Sequence, residues 1–199
     1  MKPKIVIIGA GLGGCFLASR LLEYFEITMI ELAEEPPLLR DRLVDVSQPA
    51  ITYPNIESGL GGTTKAWHNA LMEIDATIFD QKWPFSKEIL ASYYDQAYVA
   101  LSGTTRDNIL QFSESLKSDL KKMGFSELLL KQNMFIPKNR INAWKSLNLK
   151  GKVKIIEGEV TELISDGIKR ICKANVSGKG GKHLVVEADY FILSAGGLG

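Results

Sequence analysis

The sequence predicts an α/β fold in which a parallel sheet is opened by a βαβ unit, interrupted by a helical insertion and resumed by a β-meander. Three observations carry this. Residues 4–8, KIVII, are a continuous apolar, β-branched run, the pattern of a strand buried on both faces. Glycines, a helix-like stretch CFLASRLLEYF and a second short strand ITMIE (27–31) follow, which together make a βαβ unit. From residue 152 the apolar residues recur with period two, ending in the apolar segment YFILSAGGLG.

Between these parts the chain changes character. Pro36, Pro37, Pro49 and Pro54 disfavour regular structure over much of 32–56, and a second glycine cluster, SGLGGTT, begins at Ser58. A helix is expected over 86–102, with Ser86 as N-cap and Gly103 as stop. Its inward face would hold Ile89, Leu90, Tyr93, Tyr94, Ala97, Tyr98 and Leu101. A second helix is expected over 105–123, with Ile109, Phe112, Leu116, Leu120 and Met123 inward and Gly124 ending it, and a short one near 139–147. Strands VKIIEGEVTELI, GIKRICKANV and HLVVEAD follow, joined by turns at SDG and SGKGG, and the last strand is expected to be buried. A chain that stops on a Gly-rich turn just after a core strand reads as part of a longer protein.

Composition narrows the function. With 24 basic and 23 acidic side chains among 199 residues, net charge +1, no electrostatic argument favours nucleic acid or an anionic membrane. Cys15 and Cys172 form neither a CxxC nor a Cys/His cluster, so neither a disulfide framework nor a metal site is expected, and a reducing, cytoplasmic setting fits. No apolar run approaches the roughly 20 residues that span a bilayer.

The first motif with chemistry is GAGLGG at 9–14, which sets Gly9, Gly11 and Gly14 at G-x-G-x-x-G spacing between strand and helix. Gly9 permits the tight turn, Gly11 lets backbone approach a pyrophosphate, and Gly14 lets the helix pack against the strand. The helix start, from Leu12, offers free N–H groups and a positive dipole end to phosphates. Glu31 ends the second strand, where a carboxylate accepts from ribose hydroxyls and repels a 2′-phosphate. The cofactor is therefore a dinucleotide, and the glycine motif alone leaves FAD and NAD open. A meander after a long insertion, where an NAD domain would keep alternating strands and helices, favours FAD and a fold of the glutathione-reductase type.

The ordered set KIVIIGAGLGG, Glu31, GLGGTTKAWHNAL, WPFSKEILASYYDQAY, VTELI and ADYFILSAGGLG resembles the glucose–methanol–choline family of FAD-dependent oxidoreductases and spans most of the chain. The resemblance implies that Gly61 and Gly62 let the backbone approach a flavin and that Thr63 and Thr64 donate hydroxyl hydrogen bonds to it. Trp67, His68 and Asn69 fall beside that stretch and are carried as cofactor-binding candidates. The position through which some members attach flavin covalently falls on Ala66, so non-covalent FAD is implied. Val160 matches the position whose backbone meets the adenine, and Ala195 and Gly196 match a turn near the cofactor. Trp83 reads as a packing anchor of a substrate lobe. The implied division is 1–74 and 151–199 for the cofactor and 75–150 for the helical part of the substrate lobe.

The implied reaction is oxidation of an alcohol or sugar CH–OH group by hydride transfer to flavin N5, with an unnamed electron acceptor. The family's catalytic histidine lies near a carboxy terminus beyond residue 199, so no catalytic residue is assigned; His183 lies within a strand and reads as structural. Alternatives remain: another FAD enzyme, of the amine oxidase, ketosteroid dehydrogenase or sugar mutase type, or a truncated nucleotide-binding product without chemistry.

Overall fold

The structure, a computed structural model, describes residues 1–32, 58–65, 71–74, 79, 83–125, 134–135 and 141–196. In chain order its elements are β1 (Lys4–Ile8), α1 (Leu12–Leu21), β2 (Glu26–Glu31), β3 (Leu71–Met72), α2 (Ala91–Ser102), α3 (Arg106–Lys122), β4 (Met134–Phe135), α4 (Ala143–Ser146), β5 (Lys154–Ser165), β6 (Ile171–Gly178), β7 (His183–Glu187) and β8 (Tyr190–Leu193). They divide into two compact units, Met1–Trp67 with Asn142–Gly199, and His68–Ile141.

The first unit is built on a six-stranded sheet of order β7-β6-β5-β2-β1-β8. β1 pairs in parallel with β2 on one side and β8 on the other, and β2 pairs in parallel with β5. β5 is long enough to serve twice: Lys154–Glu157 continue the parallel sheet, and from Gly158 the strand pairs antiparallel with β6, which pairs with β7. This is the α/β sheet with meander that the sequence predicts.

Strand alternation explains the run IVII. Ile5 and Ile7 point to the side where Cys15 and Ala18 of α1, Met29, Ala143 and Leu149 are buried. Val6 and Ile8 point to the other side and pack with Ile30 and Val176. β1 thus has a hydrophobic layer on each face, which no amphipathic strand could supply.

β8 departs from expectation. Among the described strands it stands at the sheet edge, where Tyr190 and Leu193 are exposed and Phe191 and Ile192 are partly buried. Apolar composition signalled burial, but a strand's place in the sheet decides it.

In the second unit, Lys87–Leu90 form a 3₁₀ turn that leads into α2. Ser86 stands at the cap of that turn without making a side-chain cap bond. Gly103 ends α2 at φ 71°, a left-handed conformation that suits glycine, and its N–H donates to Val99 O at 2.9 Å. Thr105 caps α3 by accepting from Asn108 N at 3.3 Å. Arg106 grips Glu73 through two N–H groups, a forked arrangement suited to guanidinium.

The expected inward faces are only partly inward. Tyr98 and Ile109 are buried, but Ile89 and Tyr93 on one helix and Phe112, Leu116 and Met123 on the other are exposed. The apolar stripes are wider than the seam the described residues cover.

Ile109→Ala should therefore lower the stability of this unit by roughly 2–4 kcal/mol. Phe112→Ala, at a site 64% exposed, should change it by less than about 0.5 kcal/mol. Denaturant titration followed by far-UV circular dichroism reads both; a larger loss at Phe112 than at Ile109 would show that α3 faces the other way.

Candidate functional site

The site begins where β1 runs into the glycine turn. Gly9 sits at φ 101°, and its N–H donates to Ile30 O at 2.8 Å. The three motif glycines have different reasons to be glycine. A Cβ on Gly9 would overlap the Ser194 carbonyl, and one on Gly14 would overlap the Gly9 carbonyl. Both are dictated by packing between the turn, α1 and the end of β8. Gly11 is not: among the described residues no heavy atom lies within 4 Å of where its Cβ would stand. Its backbone, φ −72° and ψ −166°, is open to any residue. Nothing among the described residues asks for a glycine there.

Gly11 is the N-cap of α1 and makes no side-chain cap bond; the first turn, opened by Leu12, carries no acidic side chain. A helix of 10 residues thus presents uncapped N–H groups and the positive end of its dipole beside the bare Gly11.

Glu31 is held by three backbone amides. Its carboxylate accepts from Ala10 N at 2.5 Å, Leu32 N at 2.9 Å and Gly59 N at 3.3 Å. A carboxylate has about four acceptor positions, so it joins both glycine segments and retains capacity for a ligand hydroxyl. The Ala10 carbonyl in turn accepts from Gly61 N at 2.9 Å and from Cys15 Sγ at 3.1 Å.

Gly61 and Gly62 are buried at φ 97° and 51°, and a Cβ on Gly61 would press on the Asn142 side chain. Their glycine character is used to seat the second loop on the first turn and on α4. Thr63 is exposed. Thr64 is buried, and its one donor is already used within the protein. It donates to Gly61 O and accepts from Ala143 N at 3.0 Å. The donor expected to face a flavin instead locks its own loop to the start of α4. Trp67, His68 and Asn69, with Ala66, lie outside the described residues.

At the far end of β1, Ser194 N donates to Ile8 O at 2.7 Å, which draws Ala195 and Gly196 alongside the Gly9 turn; both are exposed, with Gly196 at φ 81°. Val160 pairs with Val176 in the meander, and its side chain packs on the Val6–Ile8–Ile30–Val176 cluster. Past Glu31, a cleft of about 900 Å³ opens between β2, the second glycine loop and the meander, lined by Glu31, Leu60, Glu157, Gly158, Gly178 and Lys179 among others. Among the described residues no cluster of three or more metal-ligating side chains occurs, and no helix is long and apolar enough to cross a membrane.

Sequence reasoning missed Ala10, Asn142 and Ser194. Asn142 left a signal, because it caps α4 by accepting from Lys145 N at 3.1 Å and Asn is a favoured cap. Ala10 left none, since its backbone does the work.

Burial, reinforced by the Glu31 carboxylate, pushes the Cys15 thiol up to about 12 from its ordinary 9.0. The folded chain therefore holds this proton more tightly than the unfolded chain does. Stability from this group is complete below pH 9 and is lost as pH rises from about 9 toward 12, by up to about 4 kcal/mol. Cys15→Ala should flatten that alkaline limb in urea titrations at pH 8 and pH 10.5; an unchanged slope would assign it elsewhere. Thr64→Val removes two hydrogen bonds inside the protein and should cost about 1–3 kcal/mol in the same assay without any ligand present.

No family model matches the chain, and no curated protein matches it. Among solved structures it is similar to the myxobacterial chondrochloren halogenase CndH, described as a new variant of FAD-dependent halogenases, at 13% identity and a TM-score of 0.45. The match covers 98% of this chain and 37% of the halogenase, so the chain spans well under half the length of that protein.

Proposed function

We propose that this chain binds FAD non-covalently and forms the cofactor-binding part of a flavin-dependent oxidoreductase. The observation that carries the reading is Gly11. Gly9 and Gly14 are explained by the fold, whereas Gly11 is bare in front of a helix N-terminus without a side-chain cap, and none of the described residues requires a glycine there. A backbone that must approach a pyrophosphate needs that clearance.

The chain's own residues divide the work. The amides at the start of α1 take the phosphates, and Glu31 takes a ribose hydroxyl while it keeps the two glycine loops together. Thr64 positions the second loop, and Thr63, on its exposed side, is left to meet the ligand. FAD, when bound, supplies the hydride-accepting chemistry at N5, and the protein supplies orientation and electrostatics. The resemblance to the glucose–methanol–choline family directs the finer reading to an alcohol or sugar CH–OH donor, with the proton-accepting base outside these 199 residues.

Gly11→Ala should cost no more than about 1–2 kcal/mol of stability, the penalty of alanine at an N-cap, and leave the chain folded, while weakening FAD binding at least tenfold. Flavin absorbance after reconstitution and gel filtration reads the binding. Acid precipitation of the reconstituted chain should release the yellow colour to the supernatant. Failure of the parent chain to retain flavin would overturn the FAD reading, and colour in the pellet would overturn the non-covalent one.

A further inference from the structure

The six-stranded sheet ends on β7, HLVVE, which pairs with β6 on one side. In an antiparallel pair, residues that bond the neighbour alternate with residues that do not. Two bonds fix the parity here. Lys182 O accepts from Gly178 N at 2.7 Å, and Ala188 N donates to Cys172 O at 3.4 Å. Leu184 and Val186 are therefore the residues of β7 whose backbone faces β6. The N–H and C=O groups of His183, Val185 and Glu187 face the opposite edge, where no described strand pairs with them.

This edge lacks the usual shields. Free edges are commonly blunted by proline, by a bulge or by a dense run of charge. β7 holds no proline, and its register with β6 runs without a shift, whereas the β5–β6 register is broken. Leu184 and Val185, in the middle of the strand, are both exposed.

The sequence of the edge is also self-complementary. Turn a second HLVVE antiparallel and centre it on Val185. Val185 then meets Val185, Leu184 meets Val186, and His183 meets Glu187. Lys182, just outside, meets Ala188, so no like charges are opposed. A two-fold interface requires this kind of reciprocity, in which i meets j and j meets i. The charge row is continuous as well. Glu187 already pairs with Lys173 of β6 at 2.6 Å on the face it shares with His183 and Val185. An imidazole from a second copy would reach the same carboxylate from its open side.

We propose that β7 is a homodimer edge, at which two copies of this chain pair antiparallel about Val185 and join their meanders into one continuous sheet. The edge-facing backbone groups of Val185 bond their own counterparts, and those of His183 bond those of Glu187. The inference is independent of the flavin reading. The joined segment is short, so the association is weak and concentration-dependent.

Sedimentation equilibrium of the full chain at pH 7, at concentrations up to about 500 μM, tests it. The parent should show a monomer–dimer equilibrium. His183→Glu, which sets carboxylate against carboxylate twice by symmetry, should raise the dissociation constant at least tenfold, and His183→Lys should not raise it. Val185→Pro removes an amide that β6 does not use, and should abolish the dimer while circular dichroism matches the parent. If Val185→Pro fails to fold, His183→Glu decides. Hydrogen exchange at the His183, Val185 and Glu187 amides should slow as concentration rises. A parent that stays monomeric at the highest concentration, a dimer unaffected by His183→Glu, or a dimer whose three edge amides exchange at unchanged rates overturns the inference.

Discussion

The peptide unit of Ala10 is where the first unit is tied together. Its N–H is held by the Glu31 carboxylate, and its carbonyl accepts from Gly61 N and from the Cys15 thiol. One residue, with a methyl for a side chain, thereby links β1, the end of β2, the start of α1 and the second glycine loop. Those segments are up to 51 positions apart in the chain (10 to 61), and their mutual placement sets where any ligand phosphate and ribose must lie. The carboxylate is partly buried, and it is stabilised by amides that would otherwise lack partners. Removing it would leave the Gly61 N–Ala10 O bond as the remaining tie between the two glycine segments.

This arrangement gives the glycines different meanings. At Gly9, Gly14 and Gly61 the missing side chain is filled by protein, respectively the Ser194 carbonyl, the Gly9 carbonyl and the Asn142 amide. At Gly11 no atom of the described residues fills it, and at Gly178 the nearest atoms stand at 3.5 Å, which leaves room for a side chain. A glycine-spacing motif treats its members alike. The structure separates those that serve folding from those that leave space, and only the second kind speaks for a ligand.

Much of the sheet was legible because its signals are local. KIVII, ITMIE and the period-two strands carry their burial pattern in their own composition, and β1, β2, β5, β6 and β7 fall within a few residues of the expected positions. Gly103 and the Gly124 region likewise mark real helix ends. What was not legible depends on distant partners. The exposure of β8 follows from its place at the sheet edge. The outward faces of α2 and α3 follow from how little of each apolar stripe is covered. The role of Thr64 follows from Ala143, 79 residues away, which no pattern around GLGGTT announces. In the candidate site, Gly11 and Glu31 were readable from spacing, whereas Glu157 and Lys179 become visible only once β5 and β6 bring them to one cleft.

The seclusion of Cys15 has a practical side. Its sulfur is wholly buried, bonded to the Ala10 carbonyl and kept protonated far above neutral pH. Cys172, the chain's other cysteine, lies half-exposed at the start of β6. A maleimide dye or spin label added near neutral pH, where thiolates are the reacting species, therefore distinguishes between the two without any engineering. It places a single reporter on the meander, at the opposite end of β6 from Gly178, and leaves the glycine turn chemically untouched.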